Sequence, residues 1–112
     1  MDDAIKKYLV DIKEAIVSIE NYLGDKRNFE RYQSDKMLRR AVEREFEIIG
    51  EALNKMDKID QGLAIAGKKQ IIALRNRVIH NYDAVDNAII WGIIIRHLPV
   101  LKEDVNKLLG EN

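Results

Sequence analysis

The chain has 112 residues with nineteen basic and nineteen acidic side chains, so its formal net charge is zero, and it contains no cysteine. A chain of this length builds a single core, and we expect one domain over residues 1–112. Overall charge gives no sign of a nucleic-acid partner, so only a local concentration of charge could serve one. The lack of cysteine excludes disulfides and thiolate metal sites and is compatible with a reducing compartment.

Neither membrane insertion nor secretion is predicted. The longest apolar run, residues 88–95, is far shorter than the roughly 20 residues that a membrane-spanning helix needs. The first residues, MDDAIKK, lack the basic lead and apolar block of a signal peptide. We therefore expect a cytoplasmic protein.

The first half of the chain predicts two amphipathic helices. Apolar residues at three- and four-residue steps predict a first helix between an N-cap at Asp2 or Asp3 and a stop at Gly24. A polar connection, DKRNFERYQ, follows it. Ser34 or Asp35 can cap a second helix, which is predicted to reach about Met56 before a loop, DKIDQGLAIAG.

The second half predicts two more helices. A third begins near Lys68, and Asp83 or Asp86 can cap a fourth. Pro99 is expected to kink or restart this last helix, because proline cannot continue an α-helix without losing a hydrogen bond. One proline and abundant Lys, Glu, Leu and Ile indicate an all-α chain, an antiparallel bundle of four main helices.

The fourth helix is apolar nearly all round between Val85 and Ile95. A helix with this pattern requires cover on more than one side. In so small a chain, a second subunit is one source of that cover, and we predict a homodimer. The alternative is a central helix within a single bundle.

The third helix carries the stretch RNRVIHNYD, in which Arg75 falls among apolar residues on a helical wheel. A buried arginine costs several kcal/mol unless it is paired. It therefore needs a carboxylate, a dimer cleft or a bound anion. Glu45 lies in the apolar stripe of the second helix, whereas Glu47 and Glu51 lie on its polar side. We predict a buried Glu45–Arg75 ion pair.

His80 and Arg75 are separated by about 140° on a regular helix, so one continuous helix does not easily aim both at one point. Either the helix ends near His80, or two subunits share a cleft. Asn76 and His80, four residues apart, share a face. A single histidine near a helix end is more often a cap or a packed ring than a catalyst.

Residues 61–82 contain no acidic side chain but hold Arg75 and three further cations, Lys68, Lys69 and Arg77. These three are candidate RNA-binding residues, although ordinary solvated charge would also explain them. Positive charge around a histidine suits a phosphate-bearing ligand. Metal-free RNA cleavage needs a base, an acid and cations for the phosphate, which histidine and arginine can supply.

Two blocks, RNRVIHNYDAVD and RAVEREFEIIGEAL, together with the closing helix AIIWGIIIRHLPVLKEDVNKLL, resemble the HepT-like toxins of the HEPN superfamily. The resemblance covers essentially the whole chain. It implies a dimeric helical bundle that acts as a metal-independent endoribonuclease toxin, without a cofactor, beside a minimal nucleotidyltransferase antitoxin.

Carried over by position, the resemblance makes Arg75 and His80 the catalytic pair, with Asn76 completing the site. It makes Tyr82 the hydroxyl to which the antitoxin transfers AMP. The family often has Asn where this chain has Glu45, so an Arg75 pair would be particular to this chain. The alternative function is a non-catalytic helical module that binds a nucleotidyltransferase or a nucleotide.

Overall fold

The computed structural model describes residues 2–79 and 87–110, with all side chains in these ranges except those of Leu74, Arg77, Val78 and Ile79. Within these ranges the chain is all-α, as predicted, and has six helices: α1 (Asp3–Leu23), α2 (Phe29–Ser34), α3 (Lys36–Ile59), α4 (Lys68–Ile79), α5 (Asn87–Arg96) and α6 (Leu98–Leu108).

The two ends of α1 lie where the sequence predicts them. Of the two N-cap candidates Asp2 is the cap, since its carboxylate accepts from the backbone N–H of Ala4 at 2.7 Å and of Ile5 at 3.2 Å. At the other end Gly24 has a φ of 73°, and its N–H donates to the carbonyl of Glu20 at 2.9 Å. Glycine suits this left-handed position because it has no Cβ.

The prediction of a polar connection after α1 is wrong, because this segment contains the short helix α2. The Asn28 side chain caps this helix by accepting from the backbone N–H of Arg31 at 3.1 Å. Tyr32 is fully buried, and its ring centroid lies 5.4 Å from that of Trp91. A helix of six residues with one buried side chain is too short to show a helical period, so the sequence pattern does not indicate it.

Helix α3 is the centre of the bundle, packing against α1, α4 and α2. Asp35 is its N-cap, accepting from the backbone N–H of Leu38 at 3.0 Å. The helix reaches Ile59, beyond the predicted end at Met56. Its buried face comprises Leu38, Val42, Phe46, Ile49, Gly50, Ala52, Leu53 and Met56. Most of the core is therefore organised around one helix.

The predicted loop after α3 is confirmed over residues 60–67, and α4 begins at Lys68 as expected. Two side chains fix the start of α4. Lys68 Nζ lies 2.6 Å from Asp57 Oδ1 of α3, and the backbone N–H of Ala66 donates to Asp104 Oδ2 of α6 at 3.0 Å. The start of α4 is thus joined to both neighbouring helices.

The predicted break near Pro99 is confirmed, since α5 ends at Arg96 and α6 begins at Leu98, with His97 between them. Pro99 lies in the first turn of α6, where its missing N–H has no helical partner in any case. The two caps considered for the preceding helix, Asp83 and Asp86, lie outside the described residues.

Helix α5 is only partly covered by its own chain. Ile90, Ile93 and Ile94 are buried, whereas Ile89 and Ile95 remain 45% and 43% exposed. The described part of α5 is therefore not a fully enclosed central helix. In the described parts of the chain, no helix combines the length and the apolar character that crossing a membrane requires.

Candidate functional site

Arg75 of α4 packs directly on Gly50 of α3. A Cβ placed on Gly50 would lie 2.3 Å from Cβ of Arg75 and 2.6 Å from its Cγ. Only a glycine allows this approach, although glycine inside a helix costs about 0.5–1 kcal/mol relative to alanine. The aliphatic part of Arg75 is thus held against the backbone of α3, and the prediction that Arg75 faces into the protein is confirmed.

The guanidinium of Arg75 has one hydrogen bond, from Nη1 to Oδ1 of the adjacent Asn76 at 3.0 Å. Its Nε is buried and has no hydrogen-bond partner among the described residues. A buried donor without a partner costs roughly 1–3 kcal/mol. Arg75 therefore has N–H groups that donate to none of the described residues.

The predicted Glu45–Arg75 ion pair is wrong, because it is not formed among the described residues. Glu45 instead accepts a hydrogen bond from the Tyr22 hydroxyl of α1 at 3.0 Å. Gly50, on which Arg75 rests, lies five residues beyond Glu45, which is about 140° further round the helix. Glu45 therefore faces α1 rather than α4, and its hydrogen bond and negative charge raise the pKa of Tyr22.

Arg75 influences the pKa of one carboxyl group on α3, that of Glu51, the residue after Gly50. Lys55 lowers the pKa of Glu51 most, through a hydrogen bond and its charge, and the guanidiniums of Arg75 and Arg44 lower it further. Glu51 lies on the polar side of α3, as the sequence predicts, where it pairs with Lys55 Nζ at 3.1 Å. Arg75 thus adds to a charged surface on α3 without forming an ion pair there.

The two candidate RNA-binding lysines of α4 differ. Lys68 is committed to Asp57 and also donates to the carbonyl of Gln61 at 3.2 Å, so its ammonium holds the start of the helix. Lys69 is exposed. The structure therefore separates a cation that maintains the fold from one that solvent and ligands can reach.

Arg75 Nη1 and Asn76 Oδ1 are joined by a hydrogen bond, whereas Glu45 contacts Tyr22. His80 and Tyr82 lie outside the described residues, as does the side chain of Arg77. Their predicted roles remain predictions.

Two features near Arg75 are not apparent from the motif alone. The first is Gly50, whose signal is a glycine inside the amphipathic block EIIGEAL. The second is a groove of about 170 Å³ between α1 and α3, whose lining includes Glu51, the residue after Gly50. It is lined by Lys7, Tyr8, Asp11, Ile48, Glu51, Ala52 and Lys55. Its residues are distant in sequence, so only the packing of α1 on α3 reveals it.

A family model described as "Ribonuclease HepT-like" matches residues 12–108. A protein of Thermococcus cleftensis named "Probable ribonuclease HepT" is 35% identical over 104 residues, which are 92% of this chain and 94% of that protein. A Methanocaldococcus jannaschii protein named "Gamma-glutamylcyclotransferase and putative RNase" is 33% identical over 108 residues, 96% of this chain. The chain spans 48% of the length of the latter relative.

Among solved structures, the chain is similar to the tri-AMPylated HEPN toxin of Shewanella oneidensis, which was solved in complex with its MNT antitoxin. The TM-score is 0.76 and the identity 20%, and the superposition covers 99% of this chain and 100% of that toxin chain. At this identity the similarity establishes a shared fold.

Proposed function

Because this chain belongs to the ribonuclease HepT-like family, we propose that it is a metal-independent endoribonuclease toxin whose catalytic residues are Arg75 and His80. The observation that carries the proposal is the placement of Arg75. Its stem is fixed on Gly50, its Nη1 is oriented by Asn76, and its buried Nε has no partner among the described residues. Held in this way, the guanidinium can donate to a phosphate from its two terminal nitrogens, Nη1 and Nη2, whereas the buried Nε does not reach solvent.

In the proposed reaction the ribose 2′-oxygen attacks the adjacent phosphorus. A new bond forms between O2′ and phosphorus, and the bond from phosphorus to O5′ breaks, leaving a 2′,3′-cyclic phosphate and a free 5′-hydroxyl. A base removes the 2′-hydroxyl proton and an acid protonates O5′, and histidine can take either role near pH 7. Arg75 stabilises the charge that grows on the non-bridging phosphate oxygens.

One histidine cannot easily serve as both acid and base, so we propose that a homodimer supplies two copies of His80 to one cleft. The exposed isoleucines of α5, Ile89 and Ile95, support a second copy as the missing cover for this helix. Exposed Lys69 and the nearby Arg77 would guide the RNA backbone by their charge.

We also propose regulation by a nucleotidyltransferase antitoxin. The Tyr82 hydroxyl attacks the α-phosphorus of ATP, a bond forms between the phenolic oxygen and phosphorus, and pyrophosphate leaves. The similar toxin of Shewanella oneidensis is AMPylated and bound to an MNT antitoxin, which supports this proposal. An AMP group near Arg75 would occupy the guanidinium with a phosphate and so exclude RNA.

The test is RNA cleavage by the purified protein in EDTA. Wild type is expected to cleave single-stranded RNA and leave cyclic phosphate ends, while Arg75→Ala and His80→Ala lose about 100-fold or more of the rate. Equal cleavage by His80→Ala would rule out the proposed acid–base role. Binding of RNA or of a nucleotidyltransferase without cleavage by wild type would instead identify the protein as a binding module.

A further inference from the structure

We propose that the groove between α1 and α3 is an RNA subsite, in which the Tyr8 ring stacks on a base and Lys7 and Lys55 bind the flanking phosphates. The inference rests on the proposed function, because it assigns this groove to the same single-stranded RNA that Arg75 contacts. It adds a binding site that lies outside the Arg–His–Tyr motif and is built from the other half of the chain.

Two cations from different helices converge on the same aromatic ring. Lys7 Nζ of α1 lies 5.9 Å from the Tyr8 ring centroid, and Lys55 Nζ of α3 lies 5.8 Å from it. Tyr8 is half-buried and packs against the core, so its ring has a fixed position at the groove. Cations beside an aromatic ring are the usual means of binding single-stranded nucleic acid without sequence preference, although this groove has no net charge, because Asp11 and Glu51 also line it.

Both lysines also have carboxylate partners, which could make them ordinary surface charges. Lys7 lies 3.8 Å from Asp11, and Lys55 lies 3.1 Å from Glu51, each at a spacing of four residues on one helix. Such exposed pairs contribute only about 0–1 kcal/mol. Because each pair contributes so little, a phosphate can compete with the carboxylate for either lysine, and the displaced Asp11 or Glu51 side chain is exposed enough to turn into solvent.

Arg75 lies within electrostatic range of the groove, since its charge acts on Glu51 and Lys55, which line the groove. Gly50, under Arg75, precedes Glu51, and Lys55 follows one further turn along α3, an axial distance of about 7.5 Å from Gly50. Arg75 also acts electrostatically at this end of the groove: Glu51 raises the pKa of Lys55, and the Arg75 charge opposes that increase. A strand whose scissile phosphate lies on Arg75 would therefore extend its flanking nucleotides towards Lys55 and the Tyr8 ring.

The binding test uses a short fluorescein-labelled 2′-O-methyl oligouridylate, which lacks the nucleophilic hydroxyl and cannot be cleaved by the proposed reaction. Fluorescence anisotropy gives its affinity for the 112-residue chain. Tyr8→Leu keeps an apolar side chain against the core but removes the ring, and is expected to weaken binding about 5-fold or more. Tyr8→Phe keeps the ring and should bind like wild type. Unchanged affinity in a folded Tyr8→Leu protein would overturn the stacking assignment.

The lysines are tested by the salt dependence of the same affinity. Lys55→Gln and Lys7→Gln should each lower the slope of log affinity against log salt by about 0.7, the value for one phosphate contact on a single strand. Lys107→Gln is the matched control, because Lys107 forms the same kind of exposed pair, with Glu103 at 3.3 Å, on α6. An equal decrease of this slope in the control would show that Lys7 and Lys55 act only as general surface charge, and the subsite assignment would fail.

The two proposals fail in different ways. If wild type binds the modified oligouridylate through Tyr8 but does not cleave unmodified RNA, the nuclease assignment fails and the subsite stands. If wild type cleaves RNA and none of the Tyr8 and lysine variants changes affinity, the subsite fails and the nuclease assignment stands.

Discussion

Gly50 lies so close to the side chain of Arg75 that a Cβ added to its Cα would lie 2.3 Å from Cβ of Arg75. This is a contact between backbone on α3 and the rigid base of a side chain on α4. The distal atoms of Arg75 can rotate, but its Cβ moves only if helix α4 moves. The separation of the two helices at this point therefore decides where the guanidinium lies.

Gly50→Ala is expected to push α4 away from α3 and displace Arg75. Overpacking of this kind costs about 1–3 kcal/mol, partly offset by the better helix propensity of alanine. RNA cleavage should fall by more than the unfolded fraction explains. Chemical denaturation and cleavage rates measured on the same samples test this.

Gly92→Ala is a control for helix propensity alone, since Gly92 also lies inside a helix and a Cβ there would meet nothing within 4 Å in this chain. Because Gly92 lies between Ile89 and Ile95 on the face proposed for the second subunit, only its free energy of unfolding is compared with that of Gly50→Ala. Gly92→Ala should raise the free energy of unfolding by about 0.5–1 kcal/mol. If the two variants behave alike, close contact with Arg75 is not the reason for a glycine at position 50.

Glu45→Gln is expected to leave RNA cleavage close to that of wild type, because Glu45 contacts Tyr22 rather than Arg75. The pKa of Tyr22 should fall towards its ordinary value, since the Glu45 hydrogen bond and charge raise it. An NMR titration of the tyrosine rings measures the shift. A large loss of cleavage with an unchanged Tyr22 pKa would show instead that Glu45 pairs with Arg75.

Lys68 and Lys69 are expected to give opposite results when each is replaced by methionine. Lys68→Met removes the ion pair with Asp57, leaving a half-buried carboxylate unpaired at the start of α4, and should lower the free energy of unfolding by about 1 kcal/mol. Lys69→Met should leave stability unchanged and weaken RNA binding, because its exposed charge is available to phosphates. A stable Lys68→Met protein with weakened RNA binding would contradict this division.

Glu43→Gln is expected to stabilise the protein at neutral pH. Burial raises the pKa of Glu43 most, the Glu47 charge raises it further, and the guanidiniums of Arg40 and Arg39 oppose the increase. The folded state therefore holds this proton more tightly than the unfolded state, so wild-type stability falls as pH rises from the ordinary carboxyl pKa through the raised value.

The gain in stability from Glu43→Gln should accordingly disappear on acidification below the ordinary carboxyl pKa. Urea unfolding across this pH range measures it. Glu103→Gln serves as the control, because Glu103 is 67% exposed and should show no comparable gain. A pH-independent difference between wild type and Glu43→Gln would refute the role of ionisation.

Sequence patterns predicted the parts of the fold that depend on local chemistry. Asp2, Gly24 and Pro99 end or begin helices as expected, because caps and breaks act within a single turn. The inward direction of Arg75 was also predictable from the wheel of α4. Helix α2 was missed because its single buried Tyr32 leaves no periodic pattern to detect.

The error at Glu45 has a different physical cause. A helical wheel gives the direction of a side chain about its own axis, but it gives neither the rotation nor the height of a second helix. Glu45 and Arg75 both face inward, yet they face different neighbours, and only the packing at Gly50 fixes which residues of α3 and α4 meet. The Tyr8 groove is invisible in the sequence for the same reason.

Two contacts at the start of α4 involve residues that are encoded far from the motif. Asp104 of α6 holds the backbone of Ala66, and Asp57 of α3 holds Lys68. If expression of this chain is toxic as proposed, a genetic selection for surviving cells should therefore recover mutations at codons 57 and 104 as well as within the motif. Such a map would reveal the mechanical support of Arg75 without any structural measurement.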